Sequence, residues 1–97
     1  METYVMLFNF TDRGIRNVKD ITLRVDPVRE LAKSVSVTVR DIFWTLGQYD
    51  MVAIVDAPDE IAAAALALSI GKAGNVRTQT LRAFAQADMG PILSKVT

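Results

Sequence analysis

Apolar positions along the chain follow two rhythms, one of period two or unbroken and one of three to four residues. Thr3 to Phe10 is dense in β-branched and aromatic side chains, and from Asn9 to Asp12 short polar groups compete for the backbone, which predicts a first strand ending in a turn or helix start. Ile15, Val18, Ile21, Val25, Val28, Ala32 and Val35 then recur at steps of three and four, on one helical face. Pro27 removes a backbone donor and disfavours helical geometry at Asp26. The pattern therefore predicts two segments, one stopping near Asp20 and one starting with Asp26 as cap and Pro27 in its first turn. Ser36 to Thr45 predicts a second strand: Val37 and Val39 alternate, then Arg40, Asp41 and the run Ile42, Phe43, Trp44 shift the phase as a bulge would. Leu46 to Asp50 turns the chain, and Met51 to Val55 is an unbroken apolar run, as in a central strand covered on both faces.

A second helix is expected from about Pro58 to Ala73, with Pro58 in the first helical position, Asp59 and Glu60 at its positive end, and Gly74-Asn75 as a left-handed stop. Its alanines, Ala62 to Ala65 and Ala67, allow close packing against a sheet or another helix. Val76 to Phe84 predicts a fourth strand, and Met89 to Val96 a short closing helix. Strand, helix, strand, strand, helix, strand is the split βαβ order of a ferredoxin-like α+β fold: a four-stranded antiparallel sheet with both helices on one face. The far face should then be polar. Instead the first strand sets Tyr4, Met6, Phe8 and Phe10 against Val5 and Leu7, the third sets Met51, Ala53 and Val55 against Val52 and Ile54, and Phe43 and Trp44 point opposite ways. Both faces read as apolar, and the most economical cover is a second identical sheet, so a homodimer or higher homo-oligomer is expected.

Composition narrows the chemistry. Ninety-seven residues fit one domain, 1–97, and 51% hydrophobic content leaves apolar material for more than one surface. Eleven basic and eleven acidic residues cancel, so no field collects nucleic acid. Without histidine or cysteine there is no disulfide, no thiolate chemistry and no neutral-pH imidazole base, and no metal or other cofactor is expected. The N-terminus lacks the pattern of a signal peptide, which sets the cytoplasm as the expected location. The most apolar window, Ile61 to Ile70, is about half a bilayer span, so no membrane partner is expected.

Four ordered motifs resemble the GYD domain family of small dimeric α+β barrel proteins: Phe10-Thr11-Asp12-Arg13-Gly14-Ile15-Arg16, Trp44-Thr45-Leu46-Gly47-Gln48-Tyr49-Asp50, Ala57-Pro58-Asp59, and Gly74-Asn75-Val76-Arg77-Thr78 with Thr80-Leu81-Arg82-Ala83-Phe84. The resemblance covers nearly the whole chain. Departures fall at Ile21-Thr22-Leu23 with Pro27, and at Ser34-Val35-Ser36, where a glycine would suit the turn. It implies the fold and self-association, and no particular activity.

Five residues make up the candidate ligand site: Tyr49, Asp50, Trp44, Asn75 and Arg77. Gly47-Gln48-Tyr49-Asp50 reads first as a structural turn and second as a barrel mouth offering a phenol and a carboxylate. Asn75 and Arg77 read as surface or interface groups, or as an anion fork. Trp44, with Phe43, reads as core or interface, or as a pocket wall. Arg77 and Arg82 have opposite phases, so at most one can enter a shared cavity. Gly14 alone is too little for a phosphate loop. No catalytic residue stands out, which favours a non-catalytic small-molecule-binding or assembly module. The alternative, by analogy with dimeric α+β barrels, is a cofactor-independent enzyme acting on a small aromatic or quinone-like compound.

Overall fold

Alternation along the first strand sets the architecture. In the computed structural model, which describes residues 1–97, β1 (Glu2–Phe10) sends Tyr4, Met6 and Phe8 into the core and leaves Val5 and Leu7 on the other side. It pairs antiparallel with β3 (Met51–Ala57), matching Tyr4 to Val55 and Met6 to Ala53, and with β4 (Val76–Ala83), matching Tyr4 to Arg82 and Met6 to Thr80. β2 (Thr38–Trp44) joins the free edge of β3, giving the order β2-β3-β1-β4 of a ferredoxin-like α+β fold. The phase change expected in β2 is a bulge between Val39 and Asp41. Beyond it Phe43 lies across from Val52 and Trp44 from Met51, on opposite faces.

The helical region after β1 has three pieces rather than two. Thr11 caps α1 (Asp12–Arg16), a 3₁₀ segment follows over Val18–Arg24, and α2 (Val25–Ser34) continues from it without a side-chain cap. Asp26 is therefore not the cap, and Pro27 lies in the first turn, where its missing N–H has no helical acceptor to lose. The chain leaves α2 through Ser36 at φ 63°, the left-handed geometry that the sequence meets with serine instead of glycine. Pro58 falls just outside α3 (Glu60–Lys72), because the Asp59 carboxylate accepts from Ala62 N at 2.9 Å and takes the cap. Gly74, at φ 85°, ends that helix as expected. The closing segment is shorter than Met89 to Val96: a 3₁₀ turn at Gln86–Asp88 and α4 (Met89–Leu93).

The core is one layer deep. Phe8, Met6, Leu66 and Val55 are its largest fully enclosed side chains, each worth about 1.5–3 kcal/mol of burial. Ala63, Leu66 and Ile70 of α3 and Ala32 of α2 close over one side of the sheet. No helix is long and apolar enough to cross a membrane.

At the rim of this core the Tyr4 hydroxyl donates to Glu2 Oε1 at 2.5 Å. Burial, followed by the hydrogen bond and charge of Glu2, pushes the phenol up from 10.0 to about 12. In the unfolded chain the same phenol ionises earlier, so its contribution is complete below pH 10 and is lost as pH rises toward 12. Thermal midpoints measured across that window are expected to fall more steeply for the native chain than for Tyr4→Phe, with no such difference below pH 9 or so.

Candidate functional site

Two of the motifs are halves of one joint. Thr11 N donates to Asn75 O at 3.1 Å, Thr11 Oγ1 donates to Gly74 O at 2.6 Å, and the same hydroxyl accepts from Gly14 N at 3.1 Å. The turn after β1 is thereby fastened to the turn before β4. Gly14 is buried in the joint, and a Cβ on it would fall 1.9 Å from the Asn75 carbonyl oxygen. A glycine too isolated to form a phosphate loop is there because two backbones touch.

The β2–β3 turn is tied down in the same manner. Gly47 has φ 107°, and Thr45 Oγ1 donates to Tyr49 O at 2.6 Å. Asp50 Oδ2 accepts from Phe10 N at 2.8 Å, while Asp50 N donates to Phe8 O at 2.8 Å. Its carboxylate supplies an acceptor where β1 runs past the end of β3. The Tyr49 hydroxyl crosses to Gln79, donating to Oε1 at 2.9 Å, and Asn9 Nδ2 donates to Gln48 O at 2.7 Å.

On the helix side of the sheet, a largely apolar cavity of about 240 Å³ lies beneath the 3₁₀ segment and α2 and beside α3. Phe8, Leu31, Ile42, Met51 and Leu66 line it, with Trp44 at its wall, 42% exposed. The volume exceeds the roughly 150 Å³ of an apolar cavity that takes up benzene. Polar groups reach it from Arg24, Ser69 and Asn75. Arg24 gives one nitrogen to Asn17 O at 3.0 Å, which anchors its guanidinium to the turn after α1. The lining includes no aspartate, glutamate, histidine or cysteine, and no three metal-type side chains gather anywhere in the chain.

The opposite face has no helix on it. Val5, Leu7, Val52 and Ile54 form its centre, flanked by Phe43, 57% exposed, and Leu81, 43% exposed. Polar pairs rim both ends. Asp56 accepts from Thr3 Oγ1 at 3.0 Å and meets Arg40 Nε at 2.9 Å at one end, while Tyr49 and Gln79 lie at the other.

Four of the five candidates thus divide between two surfaces, and the fifth belongs to the frame. Trp44 and Asn75 reach the cavity. Tyr49 and Arg77 belong with the open face, Arg77 standing opposite Asn9 in the phase of Gln79 and Leu81. Asp50 is engaged with the β1 backbone. Arg82 has the other phase, as its spacing implied: its guanidinium lies 4.4 Å from the Phe84 ring centroid and 3.7 Å from Glu2 Oε1. Arg24 and Ser69 were missed by the sequence reading. Ser69 carried a usable signal as the sole polar side chain between the charged ends of its helix, whereas Arg24 lies in the segment where the helical pattern is broken.

Comparison with known proteins places this geometry. The sequence model of the GYD domain matches residues 4–93. A protein of Thermus thermophilus named glutamine synthetase and cystathionine beta-lyase binding protein is 33% identical over 90 residues, covering 92% of this chain and 95% of its own. A crystal structure of a Thermus thermophilus protein superposes with a TM-score of 0.57 at 25% identity, over 88% of this chain and 95% of that one.

Both halves of the Gly14–Asn75 joint lie within the matched residues. Gly14→Ala should force α1 away from the β4 turn and break the Thr11 bonds. The expected loss is about 2–3 kcal/mol, read as a fall of roughly 10–20 °C in Tm by differential scanning calorimetry.

Proposed function

This chain belongs to the GYD domain family, and from that premise we propose that it is a non-catalytic binding and assembly module: a homo-oligomer built by pairing open sheet faces, with protein partners. One observation carries the reading. The face opposite the helices has an apolar centre with polar rims at both ends, the anatomy of a protein interface rather than of a solvated sheet. Four strands about 4.8 Å apart and about seven residues long give a face of roughly 450 Å². Pairing two would bury roughly 900 Å², near the ~1,000 Å² of a specific interface. A two-fold axis lying in the interface, parallel to the plane of the sheet, lets each copy meet the same surface on the other. The Thermus relative is named for binding two enzymes, which supports protein partners for this chain as well.

A second reading follows from the cavity. Its size and apolar walls suit a small aromatic or quinone-like compound, and a cofactor-independent reaction there is the enzymatic alternative. Proton transfer at neutral pH needs a group that titrates nearby, and the lining offers only Arg24, Ser69, Asn75 and Trp44 as polar side chains. That chemistry supports holding a molecule over transforming one.

Native mass spectrometry and sedimentation velocity test the first reading. The native chain is expected as a dimer or a multiple of it, and Phe43→Lys, which puts a charge on the proposed interface at a position already exposed, is expected to lower the mass without lowering helical content. A native chain that stays monomeric at micromolar concentration would sink the proposal. For the cavity, Trp44 is the sole tryptophan, so its fluorescence reports occupancy. Saturable quenching by naphthalene carboxylate is expected in the native chain and should be lost in Ser69→Leu, which fills the space; equal quenching of both would place the probe elsewhere.

A further inference from the structure

Helix α3 is apolar on every side, and the sheet covers only one of them. Ala63, Leu66 and Ile70 are buried against it. On the outer side Ile61 is 80% exposed and Leu68 75% exposed, with Ala64 also exposed. An amphipathic surface helix would carry charged residues at these positions. Here charge is confined to the ends of the stripe, Glu60 in the first turn and Lys72 in the last, both exposed. Gly71 lies in that last turn, and a Cβ on it would meet open space. Its backbone is helical, so nothing within the chain requires a glycine, which is the weakest helix former after proline. The outer face therefore has two large projections, two small positions and two opposite charges.

We propose that this face pairs with the same face of a second copy, the two α3 helices antiparallel about a two-fold axis level with Leu66. In that register Ala64 receives the partner's Leu68, Ile61 fills the notch at the partner's Gly71, and Glu60 meets the partner's Lys72, each contact occurring twice by symmetry. At about 100° per residue, all three pairs straddle one line down the outer surface of the helix, which an antiparallel two-fold contact requires. Alanine beside the crossing and glycine toward each end of the contact let the axes approach the short end of the usual 8–10 Å separation. The occupant is identified by this self-complementarity: large side chains meet small ones, and the acidic end meets the basic end.

The helix is under four turns long, about 20 Å, so the contact is small and concentration dependent. It lies on the opposite side of the molecule from the open sheet face. The two surfaces can therefore be occupied together, and neither proposal rests on the other.

Sedimentation velocity on the purified full chain over a range of concentrations tests the pairing. Leu68→Asp, at an exposed site where folding is not at stake, is expected to raise the concentration for half-assembly by about a hundredfold, since the substitution acts on both copies. Gly71→Gln is the sharper probe: a better helix former should hold or raise the thermal midpoint of the dilute protein while blocking the notch and weakening association by a similar factor. Glu60→Lys alone should weaken it by about tenfold, and Glu60→Lys combined with Lys72→Glu should restore the native value. Assembly unchanged in Leu68→Asp or Gly71→Gln overturns the contact, and failure of the double charge reversal to restore association overturns the antiparallel register.

Discussion

The pairing of β1 with β3 governs the rest of the molecule. Both strands are apolar on both sides, with Met6 and Val55 enclosed beneath the helices and Val5, Leu7, Val52 and Ile54 on the far side. A chain of this length supplies one layer of helices, so one side of the pair is covered and the other is not. The covering is also incomplete. The 3₁₀ segment before α2 does not close down on the sheet as a continuous helix would, and Ala53 and Ala73 are small where the gap remains. The cavity and the open face are thus two outcomes of one shortage: more apolar sheet than this fold has helix to cover it.

The conspicuous sequence motifs belong to the frame around those surfaces. Thr11 and Gly14 lock onto Gly74 and Asn75, and the Asp50 carboxylate holds Phe10 N. Each contact fixes a chain reversal next to a central strand, where a loose backbone polar group would cost about as much as a lost hydrogen bond. Residues with a chemically suggestive appearance, such as a phenol beside a carboxylate, can be committed to hydrogen bonds that hold the frame. Tyr49 and Asp50 are neighbours in sequence, yet one crosses to β4 and the other turns back to β1.

Strand order, the two apolar faces and the opposite phases of Phe43 and Trp44 were legible because strand side chains alternate without drift, so a face can be read by counting. The helical region was less legible. Hydrophobic steps of three and four suit both an α-helix and a 3₁₀ segment, and the division at Arg24 depends on hydrogen-bond geometry that the pattern does not carry. Pro58 and Asp59 both signalled a helix start, and the capping carboxylate decided the boundary. The cavity could not be read from local pattern at all, since Trp44, Arg24, Ser69 and Asn75 come from four separated segments. Gly14 was visible as a lone glycine, but the close contact it permits was not, because the backbone it accommodates lies some sixty residues further along the chain.

The bulge in β2 changes what the edge of the sheet offers to another strand. β2 is an edge strand, and a regular edge offers an open ladder of N–H and C=O groups on which another strand can extend the sheet. Between Val39 and Asp41 that ladder is interrupted, and the interruption is occupied by Arg40, held by Asp56. Lateral strand addition, the route to open-ended fibres, is hindered along this edge.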